Sequence, residues 1–282
     1  MARQKSLLYL HSSVALFGLA GLFGRWLNFN PLIIVGGRVL FAAIALAIIL
    51  GLRKGALPKL SVKLLYRTAV SGAILALHWY AFFKSIQETS VALALLSFAS
   101  FPLFTLILES VFWKLKVHGI DVLWALMSIS GTALIVPWDM ASPETNGVLW
   151  GLFAGFSFAV LNLLNKDLVK KHSALEIGFY QDIWATLVLL PFCIAVWPQF
   201  TAQDIGLLIL LGTVFTALSH FLFLAALKDL KARTAALVTA LEPVYGIAAA
   251  YFLFQETPEL TVFLGGILIL VASLGGQRRE KA

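Results

Sequence analysis

Apolar stretches of about twenty residues follow one another along almost the whole of this chain, and a hydrocarbon core of ~30 Å takes about 20 helical residues to cross. Ten can be marked: 6–26, 31–51, 66–86, 89–111, 118–137, 147–165, 173–197, 204–227, 232–254 and 259–276. They are continuously apolar and lack the ~10-residue alternation of barrel strands, so an all-α membrane protein with ten transmembrane helices is expected. Composition agrees, with 60% of residues hydrophobic and 12% charged, against ~25% charged in soluble domains. Arg3 and Lys5 precede the first stretch as they would in a signal peptide. That stretch is too long for one and lacks a small-residue cleavage site, so it is read as a helix. Cys193 is the sole cysteine, which excludes an intrachain disulfide and any cysteine-based metal cluster.

The net charge of +7 would suit a nucleic-acid partner, but the cations are placed for topology. All 21 except Arg25, Arg38 and Lys84 fall at the start of span one, in every second connection, or after the last span. The positive-inside rule then puts both termini in the cytoplasm with an even number of spans, and no nucleic acid is expected.

Five spans per half make the second half enter the membrane from the side opposite the first, so an internal repeat would be inverted. A constant offset of 141 positions supports one: Ala76-Leu77 matches Ala217-Leu218, Phe82 matches Phe223, Pro102 matches Pro243, and Arg25 falls over Lys166. The expected units are 1–137 (spans one to five) and 138–282 (spans six to ten). Inverted repeats about an axis in the membrane plane characterise alternating-access transporters, whose site lies near the midplane between the repeats.

Two local patterns add to this: a small-residue helix with a central Pro, in SVALALLSFASFPLF and again in ARTAALVTALEPVYG, and the span-nine ending AAAYFLFQETP. With the length and the short loops, they resemble the EamA branch of the drug/metabolite transporter superfamily over essentially the whole chain. Glu256 looks like that family's acidic residue after the last apolar turn; the equivalent position of the first half, Leu115, has lost it. The resemblance implies a non-enzymatic exporter of small metabolites, often amino acids or related compounds, in the bacterial inner membrane. Import, and nucleotide-sugar carriage as in the wider superfamily, are the alternatives.

Candidate site residues are the polar groups within the spans. Glu242 lies halfway along span nine, where an unpaired carboxylate costs several kcal/mol, so it is expected to be neutral or paired. It either ties down a backbone carbonyl or takes part in proton coupling or substrate binding. Pro243 and Pro102 each remove a backbone hydrogen bond and bend their helix, as gating kinks or as static shape. His78 and His220 recur at similar depth and suit a proton path, a carboxylate ligand or plain packing. They do not form a metal site, because no carboxylate or thiolate accompanies them at ligand spacing. Asn162 and Asn165, one turn apart, form a polar and aromatic stripe with Phe158. Trp79 is either cavity-lining or part of an interfacial belt. Arg38 is expected to snorkel to the outer interface, with the alternative that it stays within the membrane as its only cation; Asp182 is expected to meet a cation, and Gly18, Gly21 and Gly24 to pack against a neighbouring helix. No cofactor is implied, and HExxH, GxSxG and paired mid-depth catalytic carboxylates are all absent. A passive channel or sensor would need a continuous polar pore or a soluble signalling segment, and the sequence has neither. A homodimer is compatible with the sequence, in which lipid-facing and partner-facing apolar surfaces look alike.

Overall fold

The computed structural model describes residues 2–54, 61–113, 118–135 and 142–278, and within them every regular element is helical. Leu115 and the ends of the fifth span and of the chain fall outside the described residues. The helices are α1 (Ala2–Ala20), the short α2 (Phe23–Trp26), α3 (Pro31–Lys54), α4 (Val62–Glu88), α5 (Val91–Phe98), α6 (Phe101–Trp113) and α7 (Gly119–Ile135). They continue with α8 (Pro143–Leu168), α9 (Ala174–Ala195), α10 (Ala202–Gly212), a π-helical turn over Thr213–Leu218, α11 (Ser219–Asp229), α12 (Ala232–Thr239), α13 (Glu242–Phe254) and α14 (Leu260–Arg278). Seven stretches are long and apolar enough to cross a membrane.

Short polar side chains set many of the starts. Ser61, Ser90 and Ser142 each accept a hydrogen bond from the backbone N–H three residues on. Ser173 with Glu176, and Thr201 with Asp204, form reciprocal capping boxes at α9 and α10.

The helix register repeats at the 141-residue offset. Adding 141 to Val91–Phe98 gives the bounds of α12, and adding it to Phe101–Trp113 gives those of α13. At Pro102 and Pro243 the α-helical bonding is interrupted: over two residues before each helix restart the backbone turns on through bonds to the third residue back, and α-helix resumes with the Pro in its first turn. Proline suits that position, where its missing N–H would have no intrahelical partner.

Close approach of helices rests on small residues, as expected where lipid offers no hydrophobic drive for association. α1 crosses α13 at Gly18, where a Cβ would lie 2.7 Å from the Glu242 carbonyl oxygen, and α7 crosses α14 at Gly131 and Gly265. Gly151 of α8 packs where a Cβ would meet the Cβ of Ser97 at 2.6 Å. The expected packing role of Gly18, Gly21 and Gly24 is seen against α13 and the α4 side chains Phe82, Phe83 and Ile86.

The two ends of the bundle differ. At one end of α1, Ser6 donates to Asp229 at 2.6 Å; beyond the other end, Arg25 donates through Nε to Glu256 at 3.0 Å and through Nη2 to the Thr89 carbonyl at 3.0 Å. Lys166, at the Asp229 end, donates to the carbonyls of Leu227 and Leu230 at 2.7 and 2.6 Å. Thr89 and Leu230 are themselves 141 positions apart. Each cation thus caps the C-terminus of the equivalent helix in its half, α4 or α11, where a positive charge also complements the helix dipole.

Candidate functional site

A narrow cavity of about 30 Å³ lies where α1, α3, α4, α5, α8, α11 and α13 converge. Its lining follows the repeat: Phe17 and Phe158, Ala20 and Leu161, Trp79 and His220, Phe82 and Phe223 all face it, and each pair is 141 positions apart. Phe223 packs 5.9 Å from Phe17 and 5.5 Å from Phe158, centroid to centroid, and Phe98 lies 5.5 Å from both Phe158 and His78. The walls are therefore largely aromatic. The volume accommodates about one water, so the cavity is nearly closed in this conformation.

Of the expected site residues, Glu242, His78, His220, Trp79 and Asn165 line this cavity together. Asn162 does not. It is fully buried and its Nδ2 donates to the Ala232 carbonyl at 3.0 Å, tying α8 to the start of α12. Pro102 stands apart, beside Asp121, Trp124 and Arg233, and Pro243 is buried next to Glu242.

Arg38 corrects the sequence reading. It does not snorkel to an interface: it is 1% exposed, it lines the cavity, and its guanidinium carbon sits 3.8 Å from the Trp79 ring centroid. Stacking on an aromatic face compensates part of the lost hydration. Its Nε donates to Thr216 Oγ1 at 3.0 Å and its Nη2 to the Phe215 carbonyl at 3.4 Å. Both acceptors belong to the π turn. Thr216 Oγ1 donates to the Leu211 carbonyl five residues back, at 2.7 Å, so the widened turn is closed by a side chain and offers Arg38 an acceptor. Arginine has five N–H donors, which leaves donor capacity directed toward the cavity.

Two carboxylates share the electrostatic field of Arg38: Asp182, fully buried on α9, and Glu242. Both Asp182 oxygens are buried without a hydrogen-bond partner, so it forms no contact pair with a cation. Glu242 occupies the first turn of α13, where the exposed N–H groups of the broken helix favour a negative charge. Nearby, Gln181 donates to Ser71 Oγ and to Asn165 Oδ1, both at 2.7 Å, linking α9 to α4 and α8.

His78 Nδ1 lies 3.0 Å from the Ala154 carbonyl oxygen. A carbonyl only accepts, so Nδ1 carries the hydrogen and the neutral ring keeps Nε2 as an acceptor. His220 presents its ring edge-on to Trp79 at 6.0 Å, with Nδ1 unpartnered. The cavity thus combines an aromatic cage, one cation, one carboxylate and two imidazoles. That set offers groups of both charge signs beside an apolar wall, in a space that is nearly closed in this conformation.

Sequence reasoning misplaced Arg38 and missed the π turn and the Arg25–Glu256 pair. The match of Arg25 to Lys166 and the singling out of Glu256 pointed at the last, but nothing in the residue order marks the π turn.

The fold is that of a polytopic helical membrane protein, and its family makes it a transporter. The EamA-like transporter family model matches residues 4–136 and 145–275, and the chain belongs to that family. The S-adenosylmethionine uptake transporter of Rickettsia prowazekii is 32% identical over 61% of this chain and 58% of its own length, so the chain spans less than two thirds of that relative. An uncharacterized transporter of Bacillus subtilis is 26% identical over 91% of this chain and 84% of its own. The pseudopaline exporter of Pseudomonas aeruginosa is 26% identical over 75% of each. One solved crystal structure superposes over 98% of both chains with a TM-score of 0.72 at 15% identity, a likeness of fold. Bacterial relatives and repeated apolar helices make this a multi-pass inner-membrane protein.

Proposed function

We propose that the chain is a secondary transporter exporting small zwitterionic metabolites, amino acids or related amphipathic compounds, by alternating access between two inverted five-helix halves, 1–137 and 138–282. In this reading α1–α2, α5–α6, α10–α11 and α12–α13 each form one broken span. This makes ten spans, with both termini on the basic, cytoplasmic side. The observation that carries it is the cavity on the seam of the repeat, lined by matched residues from both halves and flanked by Arg38 from one and Glu242 from the other. Arg38 would take the substrate carboxylate and Glu242 its ammonium group, with the aromatic walls receiving the apolar or cationic remainder. When no substrate is bound, Glu242 takes up a proton, coupling transport to the proton gradient. His78 and His220, which line the same cavity, would relay that proton. The breaks at Pro102 and Pro243 serve as the flexing points.

The test is flux in proteoliposomes across a panel of amino acids and other zwitterions, with and without a pH gradient. Glu242→Gln is expected to lower flux on the order of tenfold and to abolish its response to the gradient. Transport of every solute unchanged in Glu242→Gln would end the coupling proposal. Uptake is the second reading, favoured by the named function of the Rickettsia relatives; counterflow under opposed substrate gradients separates the two.

A further inference from the structure

The largest cavity among those described is a groove of about 650 Å³ between α4, α6, α8 and α12. It does not belong to the seam. At about 100° per residue, the α8 residues Leu163, Lys166 and Asp167 lie toward the face of that helix opposite Phe158, Leu161 and Asn165, which line the central cavity, while Leu164 stands between the two faces and Leu168 closes the groove on the Leu161 side. On α4, Tyr66 and Val70 are turned away from Trp79 and Phe82, while Arg67, eleven residues before His78, lies on the same side of the helix as His78 but about three turns nearer its start. The groove opens outward, as the exposure of Tyr66 (71%), Val70 (38%) and Leu164 (37%) shows. On a membrane-spanning bundle, outward means toward lipid.

Its chemistry is graded along the bundle axis. Arg67, Lys170 and Lys231 stand at the helix ends, while Val70, Leu163 and Leu164 lie one to two turns deeper. Of the two carboxylates present, Asp167 is spent on Arg67 at 2.6 Å and on Lys170 at 3.5 Å, and Glu109 faces Arg233 at 4.0 Å. Lys166 donates to neutral carbonyls with Asp229 nearby, so the one carboxylate Asp167 stands against three cations at the mouth, Arg67, Lys170 and the exposed Lys231. A cationic mouth above an apolar slot matches a molecule with an anionic head and a hydrocarbon tail.

We propose that this groove binds one anionic phospholipid of the surrounding leaflet, its phosphate among Arg67, Lys170 and Lys231 and an acyl chain along Val70, Leu163 and Leu164. The head contributes charge attraction of a kind that basic pockets between spans supply near a membrane surface. The apolar slot has no use for inorganic phosphate, and this separates a lipid from a free anion. The inference stands apart from the proposed transport cycle, requiring only that the bundle lie in a bilayer.

The experiment is native mass spectrometry of the full-length protein, released from micelles containing equimolar phosphatidylglycerol and phosphatidylcholine. The wild type is expected to retain phosphatidylglycerol at least fivefold over phosphatidylcholine. Lys170→Gln with Lys231→Gln, both exposed and outside the helix packing, should bring that ratio down toward one. Lys228→Gln, an exposed cation at the same end but outside the groove, should leave it unchanged. Millimolar inorganic phosphate should not displace the lipid. A wild-type ratio near one, a ratio untouched by the double variant, or displacement by phosphate each overturns the proposal. The wild-type ratio is read without any variant having to fold.

Discussion

The broken helix pairs α5–α6 and α12–α13 share their bounds at the 141-residue offset, yet they present different chemistry at the break. The first carries Phe98 and Phe101, stacked at 5.1 Å and packed on Phe158. The second carries Thr239 and Glu242 at the same two places. One half supplies an aromatic wall and the other a carboxylate on a helix start. Shared backbone geometry fixes where the two breaks lie, and two substitutions decide which one can meet a charged substrate.

The largest effect should come from erasing that difference in the wrong direction. Phe101 is fully buried among Phe98 and Phe158, so Phe101→Glu places a second carboxylate in an aromatic wall at a cost of several kcal/mol. Membrane yield of monodisperse protein, followed by fluorescence-detected size exclusion, should fall close to zero. Wild-type accumulation would mean that either break tolerates a charge and that the asymmetry carries no chemical meaning.

Arg38→Lys probes what Glu242 faces. Lysine keeps the charge but loses the planar stack on Trp79 and the fork that reaches both Thr216 and Phe215. Flux in proteoliposomes should drop at least tenfold, and the midpoint of thermal unfolding should fall too, because the bonds to the π turn are lost. Wild-type flux in this variant would reduce Arg38 to a point charge and remove the carboxylate-binding role.

How far the sequence reached differs across these features. The breaks were visible because proline lacks an N–H, but residue order gave a bend. In the first half Ser100 Oγ adds a bond to the Ser97 carbonyl at 2.7 Å, while in the second Leu241 stands in its place without one, so the interruption is set by the backbone and the Pro rather than by a side chain. Glu242, His78, His220, Trp79 and Asn165 were legible as intramembrane polar or amphipathic groups, and burial brings them to one cavity. Asn162 carried the same signal and serves an interhelical bond instead, since a one-turn spacing does not fix which neighbour each side chain meets. Arg38 was misplaced for a related reason. Its depth in the span suited both an interface and a cavity, and what holds it inside is a π turn that depends on one threonine hydroxyl meeting a carbonyl five residues back.

The capping cations give the two smaller effects, and they sharpen the comparison between halves at the bundle ends. Lys166 makes two charge-assisted bonds, at 2.7 and 2.6 Å, to the carbonyls that end α11. Lys166→Met should cost about 2–3 kcal/mol, read as a lowered midpoint of thermal unfolding in detergent. An unchanged midpoint would mean that water replaces the lysine there without loss.

Arg25 occupies the matching place in the first half but shares itself between the Thr89 carbonyl and Glu256, in a pair whose side chains are 38% and 18% exposed. An ion pair this open to water contributes at most about 1 kcal/mol. Glu256 also accepts from the Val91 backbone N–H at 3.1 Å, so part of the contact survives loss of the cation. Arg25→Gln should therefore leave the unfolding midpoint nearly unchanged and loosen only this end of the bundle. In a Cys193→Ser background carrying Gln87→Cys, the labelling rate with a membrane-impermeant maleimide should rise about two- to fivefold on adding Arg25→Gln. A rise in labelling without a fall in stability would assign the Arg25 end the role of the weaker closure. A fall in stability as large as that of Lys166→Met would make the two cations equivalent structural caps, and the difference between the ends would then have to lie elsewhere.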